Sequence, residues 1–496
     1  MKPGAWAGVR AGGFAVVVAG VVAGSGYLPE RLLVGPTPAS PSASVVATPA
    51  THPVAEILLG CPGPETEGIA GVDPVPGEAV AILASSAPAP VLAGLPSLSG
   101  SGALSVRSQP SDAVVATTST RGRLVSGTVA GRSTAEVSAT GGLAGGVAAV
   151  QTGLRRDGDE RGLQAIACQV PRSELWLLAG GGAATRRERL IVSNAGANAL
   201  TVDIHVLGAA GPVPTPSGSR VAVPPHGRVG VLVDALAPGE PSPAIHVAAS
   251  GGLVTALLED SWIDGATGRG RDDIGPADGP GTEQVIPAAF LTGIGTLRIA
   301  VPGPDEAVVQ ARVIGTAGAA PLPTDGVVRI PGGTVRDVDL AGVASGGDAV
   351  QVRSDRPIVA SVLLKRRPTP EGPSELAWAA STAPIPELAG TPILPGTTGK
   401  LMVVGTGGAW TATAFFVDAN GEVTSVPVNA AADTAWVRDL PANAVAVWVR
   451  AGAGTGSVRA GVLAETSDAG GPLVTVLPLS PISLSMTDRP VREIRR

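Results

Sequence analysis

Hydrophobic and polar side chains alternate along much of this chain with the two-residue period of a half-buried β-strand. Val202, Ile204 and Val206 fall on one face, and Thr201, Asp203 and His205 fall on the other. Short Val-rich runs of this kind recur, separated by turn residues such as Pro224-Pro225-His226-Gly227. Beyond the first 29 residues no segment shows a 3.6-residue apolar period of helical length.

The strand pattern itself repeats about every 105 residues. It opens as RLIVSNAGANALTVDIHVLGAAG at Arg189, as LRIAVPGPDEAVVQARVIGTAG at Leu297 and as LMVVGTGGAWTATAFFVDANG at Leu401. Each unit closes on a second set of strands, AIHVAASGGLVTALLED, AVQVRSDRPIVASVLLK and AVWVRAGAGTGSVRAGVLAE. A repeat of this length predicts an all-β chain of tandem immunoglobulin-like β-sandwich modules in a row. The expected modules are 61–171, 172–283, 284–392 and 393–485, the first being the least regular. DGATGRGRDDIGPADGPGTE (264–283) and the Pro-rich stretch 366–392 read as connectors, and 486–496 as a charged, solvated tail.

Residues 11–29, AGGFAVVVAGVVAGSGYLP, carry no charge and follow Lys2 and Arg10. About 19 apolar residues suffice for one membrane-spanning helix, and basic residues before it favour an N-in orientation. A cleaved signal peptide is the alternative, with small residues at Ala23–Gly26 before the cleavage point. Either reading exports the rest of the chain, as a single-pass or a secreted protein. Residues 30–60, rich in Pro, Ala, Ser and Thr, then read as a semi-rigid stalk.

Composition narrows the function classes. Charged residues make up 15% of the chain and the net charge is −6, which disfavours nucleic acid as a partner. Aromatics are only 2%, so Ala and Val must fill the cores. Lys occurs only at Lys2, Lys365 and Lys400, and the Arg excess matches a GC-rich coding bias. Two cysteines, Cys61 and Cys168, lie on the exported side, where an even count predicts a disulfide. It would close a loop of about 107 residues and contribute roughly 4–5 kcal/mol by chain entropy.

Candidate chemistry is sparse. No Gly-x-Ser-x-Gly elbow and no His-Glu-x-x-His is present. His205 and His246 lie on strands of one module and read as solvent-facing sheet residues rather than a metal pair. Asp260, Asp264, Asp272, Asp273 and Asp278 surround a Gly-rich stretch that also holds Arg269 and Arg271, which reads as a polar connector rather than a calcium loop. Gly180-Gly181-Gly182 lacks the helix a phosphate cradle needs. Arg366-Arg367 reads as a solvated turn. Trp410, Trp436 and Trp448 gather in the fourth module, as core fillers or as an exposed platform for a sugar face.

CPGPE, ACQVP, LWLLAGGGAATRRERLIVSNAG and AIHVAASGGLVTALLEDSWIDGATGRG together resemble an actinobacterial, exported or membrane-anchored cell-envelope family of unknown function. The resemblance covers most of the chain after the stalk. One departure is Asn194-Ala195-Gly196, where such proteins carry Asn-Pro-Gly, a change confined to a turn. The resemblance implies an envelope address and a β-rich body, and assigns no activity. The expected protein is a non-enzymatic, membrane-anchored extracytoplasmic one with a structural or protein-interaction role in the envelope, without cofactor or metal; a cell-wall glycan-binding module and an accessory subunit of an envelope enzyme are the alternatives. Its expected partners are envelope proteins or cell-wall polysaccharide, with the membrane reached through the N-terminal helix.

Overall fold

The computed structural model describes residues 50–487 except 74, 76, 159, 183, 184, 266, 293, 323–326, 344–347 and 368–373. The expected anchor over 11–29 and the stalk up to residue 49 lie outside the described residues. Among the described residues no helix is long and apolar enough to cross a membrane. The described chain is all-β, with helices no longer than a single turn such as Ala89–Leu92.

Four modules share one strand order, once the short additional strands Val221–Val223 of module two and Val327–Ile330 of module three are set aside. Their first and eighth strands are Glu56–Cys61 and Gly162–Ala167 in module one, Glu174–Leu177 and Thr267–Ile274 in module two, Gly281–Ile286 and Glu375–Ala380 in module three, and Leu388–Pro392 and Gly471–Pro478 in module four. In one sheet the first strand lies beside the sixth, the sixth beside the third and the third beside the fourth. In the other the fifth lies beside the second, the second beside the seventh and the seventh beside the eighth. Module three makes its sixth and seventh strands from one continuous strand, Ala349–Arg366, which bridges both sheets. An immunoglobulin domain sets ABED against CFG, with its first strand beside its second. Here the first and fourth strands lie with the third and sixth, and the seventh lies with the second and fifth, so the expected immunoglobulin order does not describe these modules. This order leaves the far edge of the seventh strand free to take an eighth.

Those eighth strands decide the architecture. Each packs against two others, one on two, two on three, three on four and four on one. The modules therefore form a closed ring around four axial strands, where the sequence predicted a row. A cavity of about 60 Å³ near the C-terminal ends of these strands is lined from all four, by Ile166, Asp273, Trp378 and Val476 among others. The chain ends complete the closure. Thr51–Pro53 pairs antiparallel with Ser485–Thr487, and Val54 N–H donates to Leu484 O at 3.0 Å. Ten residues of the expected stalk and the start of the expected tail thus belong to the folded body.

Both expected connectors contribute axial strands, Thr267–Ile274 and Glu375–Ala380. Their polar residues argued for loops, but in the ring each finds a partner from a neighbouring module. Two glycines permit the close approach of these strands. A Cβ at Gly162 would lie 2.6 Å from Arg271 O. Gly270 has φ +121°, and a Cβ there would lie 2.3 Å from Leu376 N.

Apolar cores run across the seams between modules. Ala300, Val335, Val359 and Leu376 of module three join the core of module two. Met402, Val404, Leu463 and Val476 of module four join that of module three. Leu83, Val150 and Leu163 of module one join that of module four, where Val91 and Leu92 also cover Trp448. The seam between modules one and two is the exception. Its apolar patch is Ile69 and Ile166 against Ile191 and Leu257.

Candidate functional site

Charge takes the place of apolar area at the seam between modules one and two. The hairpin of Thr255–Asp264 and Thr267–Ile274 turns at Asp264-Gly265, where Gly265 has φ +62°. Directly opposed residues of an antiparallel pair share a face. Arg189 opposes Glu259, and Glu259 opposes Asp273, so these three face one way together with Arg271. Glu188, Asp260 and Asp272 oppose one another on the other face. The first face meets module one and the second meets modules three and four.

On the first face the Arg271 guanidinium is fully buried. It lies 3.0 Å from Glu65, 2.8 Å from Glu160, 3.0 Å from Glu259 and 3.7 Å from Glu78. Arg189 bridges Glu160 at 3.0 Å and Glu259 at 3.1 Å. Arg155 holds Glu78 at 3.1 Å, and Thr66 N–H donates to the same carboxylate at 2.9 Å. Arg228 reaches across the seam to the carbonyls of Pro64, Glu67 and Gly131. Gln169 exchanges both its amide bonds with Ala256, at 2.7 and 3.0 Å.

On the second face Trp378 of module three is clamped. Its indole N–H donates to Asp260 at 2.7 Å, and its backbone N–H donates to Asp272 at 2.7 Å. Asp272 also accepts the Thr475 hydroxyl of module four at 2.9 Å, a bond through the middle of the ring. Asp260 pairs with Arg186. Glu375 of module three accepts the backbone N–H of Arg271 at 2.9 Å and of Leu376 at 3.1 Å.

Burial dominates the proton affinities. It pushes the Glu259 carboxyl up to about 7 against the pull of Arg271 and Arg189. It raises Glu65, and it raises Asp272, Asp273 and Glu375 well above the carboxylate range, with Glu65 adding to the effect at Asp273. Burial and then Asp260 lift Glu188 to about 8. Burial also disfavours ionised Glu160, but Arg271 and Arg189 outweigh it and hold that carboxyl below the usual range. At Arg271 burial is overcome by Glu259, Glu65 and Glu160, which keep the guanidinium charged. The arrangement is a water-poor charge cluster that ties modules together and retains protons near neutrality.

The structure disperses most of the sequence candidates. Cys61 and Cys168 form a disulfide that joins the first strand of module one to the end of its eighth. Trp410 and Trp448 are 1% and 0% exposed and sit in separate cores, while Trp436 is half-buried, so the three rings form no common platform. His205 opposes His246 across paired strands with ring centres 5.8 Å apart, and His246 stacks on Trp176 at 4.5 Å. Among the described residues no group of three or more His, Cys, Asp or Glu is arranged to hold a metal ion. Gly181 N–H donates to the Glu188 carboxylate at 2.7 Å, so the triple glycine receives a carboxylate from its own chain. Arg366 reaches Glu465 of module four at 3.4 Å and is part of a seam. Asp264 pairs with Arg269 at 3.0 Å, and Asp278 bonds the next backbone N–H.

Sequence reasoning missed Arg271 as a centre because Gly-Arg-Gly-Arg-Asp-Asp reads as loop. The available signal was its two-residue alternation behind an Asp-Gly hairpin turn. Beside the cluster a cleft of about 690 Å³ opens between the two modules, lined by Asp73, Glu160, Arg187, Arg189, Leu232 and Asp234 among others.

The model of a family of unknown function, DUF5719, matches residues 114–441. No curated protein matches the chain significantly. Among solved structures, manganese lipoxygenase of Gaeumannomyces graminis with a partial structure of zonadhesin of Komagataella pastoris is 11% identical. That match covers 47% of this chain and 90% of that one, at a TM-score of 0.12. A tetra-tandem repeat in the extending region of a large adhesion protein is 13% identical over 78% and 91% of the two chains, at 0.10. A glycoside hydrolase of family 32 from Bifidobacterium adolescentis is 10% identical over 87% and 96%, at 0.14. Scores this low carry no argument about fold or activity.

Proposed function

Since the chain belongs to the DUF5719 family of unknown function, we propose a role drawn from its own architecture. The protein is a non-enzymatic, extracytoplasmic component of the cell envelope that presents a closed ring of modules to other envelope proteins. The observation that carries this reading is the use made of Arg271. A fully buried cation with carboxylates of two modules around it holds domains together and is closed to a substrate. The Cys61–Cys168 disulfide supports an oxidising compartment, and the uncharged stretch over 11–29 supports export.

The test is crosslinking in intact cells of a C-terminally tagged full-length protein, with fractionation and protease treatment of whole cells. The expected result is recovery in the envelope fraction, protease access from outside, and the same envelope proteins captured in every repeat. Recovery from the cytosol would overturn the address. Capture of wall polymer alone would overturn the protein-interaction role and assign the surface to polysaccharide.

A further inference from the structure

The four seams of the ring are built differently. Three rest on apolar cores that run from one module into the next. The fourth, between modules one and two, has a four-residue apolar patch and a buried charge cluster. Glu65, Glu78 and Glu160 of module one, with Arg155, face Arg189, Arg228, Glu259, Arg271 and Asp273 of module two. Among the described residues of this cluster, five carboxyls therefore meet four guanidiniums. Complete ionisation would leave one uncompensated negative charge in a site closed to water. The cleft beside it brings solvent to Glu160 and Arg189, the outer members of the cluster.

We propose that the seam between modules one and two is a proton-operated latch, closed on the acid side of neutrality and loosened on the alkaline side. The excess of carboxyls is the device. While one of them keeps its proton, the cluster is close to neutral and its hydrogen bonds span both modules. When that proton leaves, like charges face each other across a seam with little apolar area to hold it. The other three seams also hold buried carboxyls, Asp272 and Glu375 among them, but apolar cores run across them and keep them joined, so the ring opens at one place.

The direction follows from linkage. A buried carboxyl that binds its proton more tightly in the closed state stabilises that state at low pH and loses the advantage as pH rises. For Glu259 the window runs from the ordinary 4.5 to about 7, and Glu65 and Asp273 are shifted the same way. Glu160 is shifted downward, so its contribution is lost only as pH falls below the ordinary carboxylate range. Arg189, Arg228 and Arg271 stay charged throughout this window. Between about pH 5 and 8 the upward-shifted carboxyls of the cluster act, and His226 of module two, 3.1 Å from Glu136 of module one, is a further ionisable contact across the same seam.

Hydrogen exchange of the full-length protein tests this, read at pH 5.5 and 8.5 and corrected for the intrinsic rate. The seam reporters are residues 65–73 and strand Gly162–Ala167. The controls are Val335–Asp339 and Thr398–Thr406, in the two seams of module three. Protection of the seam reporters should fall by about tenfold or more, since each unit of pKa displacement is a factor of ten. The controls should change little. A Glu65→Gln/Glu259→Gln variant should lose most of that pH dependence while the controls stay protected. Equal protection at both pH values, or an equal loss in reporters and controls, overturns the latch. So does a folded double variant that keeps the parental pH dependence. If the double variant fails to fold, the comparison of seams in the parent decides alone.

Discussion

At the scale of residues, the ring depends on a few positions where no substitute fits. Gly270 combines a left-handed φ of +121° with a backbone approach from module three that leaves no room for a methyl group. Ala there would meet both a conformational penalty and a clash that only a backbone shift can relieve. We expect Gly270→Ala to destabilise the folded body by roughly 2–4 kcal/mol. Gly279→Ala is the control, because nothing lies within 4 Å of its Cβ position. Urea midpoints of the two variants against the parent measure the difference, and equal midpoints would show that the axial strands can move apart freely. Arg271, the next residue, has the opposite character. It is a large charge that module two cannot satisfy alone, because two of its closest carboxylate contacts, Glu65 and Glu160, belong to module one. Trp410 and Trp448 show how composition steers a small set of aromatics. With few rings available, the module uses them to fill its cores, and a surface platform is left without members.

At the scale of elements, the disulfide and the eighth strands do related work. The Cys61–Cys168 bond closes a loop of 107 residues and fixes where the eighth strand of module one ends. Cys61→Ser or Cys168→Ser should therefore lower stability by about 4–5 kcal/mol under oxidising conditions. Either single variant and the reduced parent should melt alike. Variants that melt with the oxidised parent would show that the strand is held by its neighbours alone. This bond was legible in the sequence, because an even cysteine count with an exported address is a compositional signal. Strands with apolar alternation, such as Thr201–Leu207, were legible too. The axial strands Thr267–Ile274 and Glu375–Ala380 were not, and the reason is physical. Their polar residues are satisfied by Glu65, Thr475 and Trp378, all distant in sequence. A local pattern cannot distinguish a solvated charge from one buried against a module a hundred residues away. The candidate site was hidden for the same reason, and its acids were visible only as an acidic, Gly-rich stretch.

At the scale of the whole molecule, the four axial strands make the modules interdependent. A row of sandwiches would melt in several steps, each module at its own temperature. In the ring, removing a neighbour exposes apolar core at the seams and strands buried charges. A fragment of residues 172–283 would carry Arg271 without Glu65 and Glu160, and Asp272 without Trp378 and Thr475. Stripping a buried pair of its partner costs about 3–5 kcal/mol, a large part of what a domain of that size has to spend. We therefore expect residues 51–487 to unfold in one transition at pH 6, where the cluster keeps its protons. The calorimetric and van't Hoff enthalpies should then agree. The isolated fragment should lack a cooperative melt. Two or more resolved transitions, or a fragment that melts near the temperature of the whole, would mean that the seams contribute little. The modules would then be independent domains that happen to close a ring.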